Sequence, residues 1–454
     1  MAPKFLFLIS FQLFLFLVIS QEQPLLDMAE QDSVYRVLES VNPTIPWRSI
    51  FPDDFCYSAP HGVVCDVFSE PNGSISAVHI TELSFGYVSD FNPNPPCYPN
   101  STFDPLLFTS FKYLRKLFFY KCFTDLPVSV STVWPSFASS LEELIFIDNP
   151  ALVGSLNGLT GNFTSLKRAV ITGNGLSGNI PGWVVDSVNL EELTLSRNQL
   201  DGAVSTSFSK LKLLRILDLS QNQFDGNVPD SIANLTQLLK LDLSANAFSG
   251  KIPNILVNLQ NMEFLDLSHN QFGNFGVPVF LSKMPRLREL HLNGNSLGGH
   301  IPEIWKNLGG IKGIGFSNMG LVGNIPASMG VYLRNLSYLG LDNNQLEGTV
   351  PGELGFLEFA GEINLENNNL SGRVPFTAMV GEILKLQGNP GLCVDDVDLV
   401  KNGSRFGHYL KLCNKTKLPN LVNPVLMGVA SSSSLGLSLP SVVVKLIWVL
   451  VFFV

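Results

Sequence analysis

The feature that most constrains this chain is a 24-residue repeat running through its middle. The stretches "LEELTLSRNQLDG", "LRILDLSQNQFDGNVP", "LLKLDLSANAFSGKIP" and "MEFLDLSHNQFG" place asparagines at 198, 222, 246 and 270. Carrying the frame LxxLxLxxN in both directions finds Asn149 and Asn174 before them, and Asn295, Asn344, Asn368 and Asn389 after. The steps hold at 24 or 25 residues until the last, which is 21. Such a period is the signature of a stacked array. One coil departs: "IKGIGFSNMGLVGNIP" puts Met319 in the asparagine place, with Asn318 one position early. Ahead of Asn149, "LRKLFFYKCF" fits with Cys122 in that place, and "ISAVHITEL" reads as an opening strand. The total is about twelve repeats, eleven of them clear.

In each "LxL" the two leucines face one way and the residue between them the other, which is strand alternation. A unit of 24 residues is too short to enclose a core of its own, so neighbouring coils must stack and share one. Parallel strands then line one face, and the remaining leucines with the isoleucines and valines of "IP" and "VP" fill the interior. The asparagine amide is expected to satisfy buried backbone groups of the adjacent coil. Its loss leaves those groups unpaired, at about 1–3 kcal/mol. Met319 is therefore expected to mark a locally weaker or differently bonded coil, unless the long array simply tolerates it.

A second motif follows the asparagine. It recurs as "GNIP" at 178–181 and 323–326, "GNVP" at 226–229, "GKIP" at 250–253, "GHIP" at 299–302, "GTVP" at 348–351 and "GRVP" at 372–375. The combined frame LxxLxLxxNxLSGxIP resembles that of the plant-type leucine-rich-repeat proteins. The resemblance implies an α/β-type repeat solenoid, wound as a right-handed superhelix with its parallel strands on the concave face and disulfide-bearing caps at both ends. "EQDSVYRVLESVN" with Trp47 and "CYSAPHGVVC" is similar to the family's N-terminal cap, here residues 21–73, although the second tryptophan common in that cap is missing. "GNPGLCVDD" with Cys413 is similar to its C-terminal cap, residues 390–415, and the repeats fill 74–389 with an insertion near 84–110. "FDPLLFTSFKYLRKLFFYKCF", "SSLEELIFIDNPALVGSL" and "LDNNQLEGTVP" narrow the resemblance to kinase-less receptor-like proteins around the Piriformospora indica-insensitive proteins, and more distantly Too Many Mouths.

The two ends bear on compartment. Residues 1–20 carry Lys4, an apolar run from Phe5 to Ile19, and small residues where a signal peptidase cuts, so they read as a secretory signal. At the other end, small residues from Gly428 to Ser434 and a spacer to Pro440 precede a mostly apolar run broken by Lys445. That order fits a glycolipid-attachment signal, with attachment near Ser431, a spacer region 416–434 and a tail 435–454; the competing reading is a short retained anchor. The expected location is the outer face of the plasma membrane. Without Lys4 and Lys445, 27 basic residues face 38 acidic ones, a balance of −11, which argues against nucleic acid as a partner.

Six cysteines allow 15 pairings, but they sit only near the two ends of the array, and Cys122 and Cys393 are separated by Cys-free sequence. In a secreted chain this clustering favours Cys56 with Cys65, Cys97 with Cys122 and Cys393 with Cys413. No CxxC pair supports zinc, and "VDDVD" at 394–398 reads as a solvated acidic turn more than a calcium site. His61, His79, His269, His291, His300 and His408 are dispersed, the glycines of "GGIKGIGF" lie within a repeat strand, and neither DFG nor HRD occurs. The expectation is a protein that binds rather than catalyses, with no cofactor.

The outward strand positions run Ile145, Val170, Thr194, Asp218, Asp242, Asp266, His291, Gly315, Gly340, Asn364 and Lys385. Three consecutive aspartates make an acidic ladder flanked by Arg215, Lys240, Glu263 and Arg288, a candidate seat for a basic peptide or protein. Beyond it Gly315 and Gly340 lower the surface beside Tyr338, where a second ectodomain is expected to fit. Sequons stand at Asn72, Asn100, Asn162, Asn234, Asn335, Asn369, Asn402 and Asn414. The resemblance implies a cell-surface recognition protein that binds an extracellular ligand or a receptor kinase ectodomain and signals through that kinase, in plant–microbe interaction, defence or growth. The alternative is an apoplastic inhibitor of microbial wall-degrading enzymes.

Overall fold

A computed structural model describes residues 25–58, 62–69, 76–89, 94–130, 136–159, 161–376, 382–395 and 410–413. The signal at 1–20, the tail from 414 with Ser431, and the sequons Asn72, Asn402 and Asn414 lie outside these residues, as do His61, His408 and most of "VDDVD". Among the described residues no helix is long and apolar enough to cross a membrane.

The chain enters through helix α1 (Met28–Val41). Asp27 caps it by accepting hydrogen bonds from the Ala29 and Glu30 N–H groups at 2.8 and 3.3 Å, which satisfies amides that a helix start leaves open. Val34, Val37, Leu38 and Val41 form its apolar stripe and are buried against the first coils. Glu30 is buried on the same helix, and its Oε2 accepts the Ile80 N–H at 2.9 Å while its Oε1 lies 2.7 Å from Nδ1 of His79. This carboxyl ties the cap to the opening strand Ser76–Phe85.

Among the described residues the main sheet has fourteen strands. Only its first pair is antiparallel, Val63–Ser69 on Ser76–Phe85; every later strand adds in parallel, one per coil, to Leu384–Lys385. The inward leucines, such as Leu217, Leu241 and Leu265, are 1% exposed or less. Phe224, Phe248 and Phe272 stack behind them at the same place in successive coils. At the N-terminal end phenylalanine takes over: Phe103, from the insertion near 84–110, packs against Phe108, Phe119, Phe123 and Phe146 with ring centroids 5.5–6.0 Å apart. The structure joins Cys97 to Cys122 there, and Cys56 to Cys65 and Cys393 to Cys413 elsewhere, at Cα separations of 4.8, 5.7 and 5.0 Å. Cys122 stands where later coils carry asparagine, so a covalent bond to the insertion occupies the first rung.

The asparagine ladder bonds as the repeat demands. In a regular coil Nδ2 of Asn246 donates to the Leu219, Leu243 and Ser244 carbonyls at 3.0–3.2 Å, and its Oδ1 accepts the Phe224 N–H at 3.0 Å. Met319 is fully buried and offers no amide, so its coil is held differently: its own N–H donates to Asn344 Oδ1 and its carbonyl accepts the Gly298 N–H.

Among the described residues, the segments after most of these asparagines build lateral parallel sheets, seven strands from Val128–Ser129 to Gln271–Phe272 and five from Val322–Asn324 to Lys411–Leu412. The glycine of "GxIP" is required there. At Gly250 φ is +75°, and a Cβ would sit 2.4 Å from Oδ1 of Asn227 in the preceding coil. One residue before each asparagine the backbone again turns left-handed, at Arg197, Gln221, Ala245, His269, Asn343 and Asn367. Ala245, at φ +52°, has no polar side chain to offset that conformation. Ala245→Gly is expected to stabilise the protein by about 0.5–1 kcal/mol, because relief of the clash exceeds the added chain entropy. A raised midpoint in urea unfolding at unchanged slope checks this.

Candidate ligand-binding face

Strand register sets the candidate positions in one line. Val170 pairs with Thr194, Thr194 with Asp218, Asp218 with Asp242, Asp242 with Asp266, and Asp266 with His291; Gly315, Gly340, Asn364 and Lys385 continue it. The line divides into three stretches of different chemistry.

At its N-terminal end Phe118, Ile145 and Val170 form a separate apolar cluster with Tyr120 and Ile147, and Ile145 is wholly buried although it lies outside the main core. Beside it runs an alternating row of charge. Lys116 lies 3.8 and 3.9 Å from Glu82 and Glu143, and Arg168 lies 3.3 and 2.9 Å from Glu143 and Glu192. Apolar contact and paired charge use up this stretch internally. The row was visible in the sequence as the residue preceding each "LxL", but only register brings the alternating signs together.

The middle stretch is acidic. Asp218, 8% exposed, accepts the Ser220 N–H and Oγ–H on Oδ1, and its Oδ2 lies 2.7 Å from Nζ of Lys240. Asp242 repeats the arrangement with Ser244, and Lys240 stands 3.8 Å from its Oδ2. Asp266 accepts the Ser268 N–H at 2.9 Å. Lys240 is thus within the ladder rather than beside it, with its ammonium 5.3 Å from the centre of the Phe264 ring. Glu263 and Arg288 pair with each other at 3.3 Å, while Arg215 is exposed on the same margin. His291 closes the stretch, its Nε2 3.3 Å from Glu289 and its ring 6.0 Å from Phe264.

Three carboxylates around one ammonium leave an excess of negative charge. Burial, and then the charges of Asp218 and Asp266, push the Asp242 carboxyl from 3.8 up to about 7 against the opposing pull of Lys240 and Ser244. Burial works against the Lys240 charge, but Asp218 and Asp242 outweigh it and hold its pKa above the ordinary lysine value. The sign for stability follows. The folded state holds the Asp242 proton where the unfolded chain releases it, so this contribution is fully present below about pH 4 and is lost as pH rises through about 7. The loss amounts to at most about 4 kcal/mol at 1.36 kcal/mol per pH unit. Urea unfolding at pH 4, 5.5 and 7 is expected to show this decline in the native protein and not in Asp242→Asn.

The last stretch is lined by glycine but not hollow. A Cβ on Gly315 would meet Nδ1 of His291 and Oδ1 of Asn293 at 2.8 and 2.7 Å, and one on Gly340 would meet the Tyr338 hydroxyl at 2.5 Å. Neighbouring side chains lie across the glycines and partly fill the surface expected to be lowered there. Burial, then the charges of Asp342 and Glu362, raise the Tyr338 pKa. The described sequon residues Asn100, Asn162, Asn234, Asn335 and Asn369 are all exposed, and none falls on this line. Among the described residues no group of three His, Cys, Asp or Glu is placed to hold a metal ion.

The Leucine rich repeat family model matches residues 164–224, and a second Leucine Rich Repeat model matches 237–259, 286–308 and 335–357. Piriformospora indica-insensitive protein 2 of Arabidopsis thaliana is 34% identical over 160 residues, 35% of this chain and 35% of the relative. Protein TOO MANY MOUTHS of the same plant is 33% identical over 138 residues, 30% of this chain and 26% of the relative. The chain carries leucine-rich repeats and is similar to plant leucine-rich-repeat receptor-like proteins. Its matches span 35% and 26% of those two relatives' lengths. Among solved structures, the leucine-rich-repeat ectodomain of the Arabidopsis thaliana receptor kinase GASSHO1/SCHENGEN3, in complex with CASPARIAN STRIP INTEGRITY FACTOR 2, superposes with a TM-score of 0.53 at 25% identity over 69% of this chain and 47% of that one. In this leucine-rich-repeat protein the line from Thr194 to His291 is the part of the strand face whose charge is not internally balanced.

Proposed function

We propose that the protein is a cell-surface recognition subunit whose strand face holds a protein or peptide ligand between Thr194 and Tyr338. The observation that carries this is the excess of carboxylate over ammonium at Asp218, Asp242 and Asp266, at the centre of a rigid parallel sheet. Such a surface favours a partner that brings positive charge, because an added cation replaces both the proton on Asp242 and the missing counter-charge. The complex of the GASSHO1/SCHENGEN3 ectodomain with a factor supports a ligand-binding role for a solenoid of this kind.

Signalling then passes through a receptor kinase ectodomain acting as co-receptor, in plant–microbe interaction, defence or growth. The protein is held at the outer face of the plasma membrane by a glycolipid near Ser431 and carries glycans at exposed sequons. Release from membranes by a phosphatidylinositol-specific phospholipase tests the anchor, and resistance argues for a retained helix.

The binding test compares native protein with Asp242→Asn/Asp266→Asn as bait for solubilised plant membranes, with captured receptor kinases identified by mass spectrometry. Recovery of a kinase that falls at least about tenfold in the double variant is the expected result, given the cost of removing interfacial charge pairs. Recovery of no kinase by the native bait, together with inhibition of a microbial wall-degrading enzyme, would establish the inhibitor reading instead.

A further inference from the structure

We propose that the junction between the coil closing on Asn295 and the coil carrying Met319 is a built-in yielding point of the solenoid, the place where neighbouring coils separate first. Three features coincide there. The first is the missing amide. At a regular junction Asn270 donates to the Leu243, Leu267 and Ser268 carbonyls and accepts the Phe248 N–H; at this junction Met319 supplies none of these bonds, and the Leu297 N–H gains no amide acceptor from it.

The second is the lateral sheet. Its seven-stranded part ends at Gln271–Phe272 and its five-stranded part begins at Val322–Asn324. Between them only the isolated bridges Gly273 with Ser296 and His300 with Val322 remain. Gly298 and Gly299, at φ +62° and +74°, are consecutive left-handed residues and break the extended backbone that a strand needs. The third is the strand Gly313–Gly315, where Gly313 and Gly315 give the facing Glu289 and His291 no side-chain partner across the strands.

The junction is weakened, not broken. Main-sheet pairing continues across it, the Gly298 N–H reaches the Met319 carbonyl at 2.9 Å, and the Val322 N–H reaches the Gly299 carbonyl at 2.8 Å. In a solenoid each coil packs mainly on its neighbours, so a single weak junction divides the array into two cooperative blocks. Here the division falls between the acidic ladder, which ends at His291, and the glycine-lined stretch, which begins at Gly313.

Hydrogen exchange of the full chain at pH 7, read by mass spectrometry, tests this. Peptides covering 292–322 are expected to exchange roughly tenfold faster than the equivalent 219–249 peptides, as local opening requires. Met319→Asn is expected to slow the first set and leave the second unchanged. If that variant does not fold, Asn246→Met decides: it removes the amide bonds but keeps the lateral strands and side-chain partners, so 219–249 should exchange faster than in native protein though short of the native 292–322 rate. Equal exchange of the two native segments, a folded Met319→Asn that exchanges like native protein, or an Asn246→Met without effect on 219–249 would each overturn the proposal.

Discussion

Replacing Glu30 by alanine is expected to destabilise the protein by about 3 kcal/mol, although the residue lies outside the repeats. Its carboxyl is buried between helix α1 and the first repeat strand, where it accepts the Ile80 N–H and meets His79. Removal strands a buried backbone donor and opens a gap beside the rings of His79, Phe68 and Tyr113, whose centroids lie 4.2–5.6 Å apart. Glu30→Gln keeps an acceptor for Ile80 and should cost about half as much. Urea unfolding of the three proteins measures the difference. Equal effects of Ala and Gln would show that the charge, not the hydrogen bond to Ile80, holds the cap in place.

Replacing Lys240 by methionine is expected to cost about 2–3 kcal/mol at pH 8 and much less at pH 4. Its side chain is 34% exposed, so the loss falls below the 3–5 kcal/mol typical of breaking a fully buried pair. Without the ammonium, Asp218 and Asp242, with side chains 11% and 13% exposed, face one another and Asp266 uncompensated. Protonation removes that repulsion, and the Asp242 carboxyl, already raised to about 7, rises further in the variant. A variant whose destabilisation is the same at both pH values would show that Lys240 acts through its packing on Phe264 and not through its charge.

Much of the fold was legible in the repeat because strand alternation and a fixed coil length are properties of sequence order. Asn222, Asn246 and Asn270 recur every 24 residues, so their amides fall at the same height in successive coils and find the same carbonyls. The in-register aspartates were legible for the same reason. What the pattern left open was the state of the surface between coils. Lys240 read as a flank of the ladder, yet its ammonium reaches back to Asp218 in the previous coil. Gly315 and Gly340 read as a lowered surface, yet His291, Asn293 and Tyr338 lie over them. The pairing of Asp148 with Arg197, two coils apart, forms at 2.8 Å across Gly173, which has no side chain to stand between them.

By itself the sequence determined the solenoid, its rungs and the line along which its outward residues fall, since 24-residue units cannot enclose a core alone and stack only in one register. Tertiary structure alone decided which outward charges are satisfied and how the cap is fastened. Those depend on rotamers and side-chain reach between residues 22 to 50 positions apart, which periodicity brings near one another but does not orient.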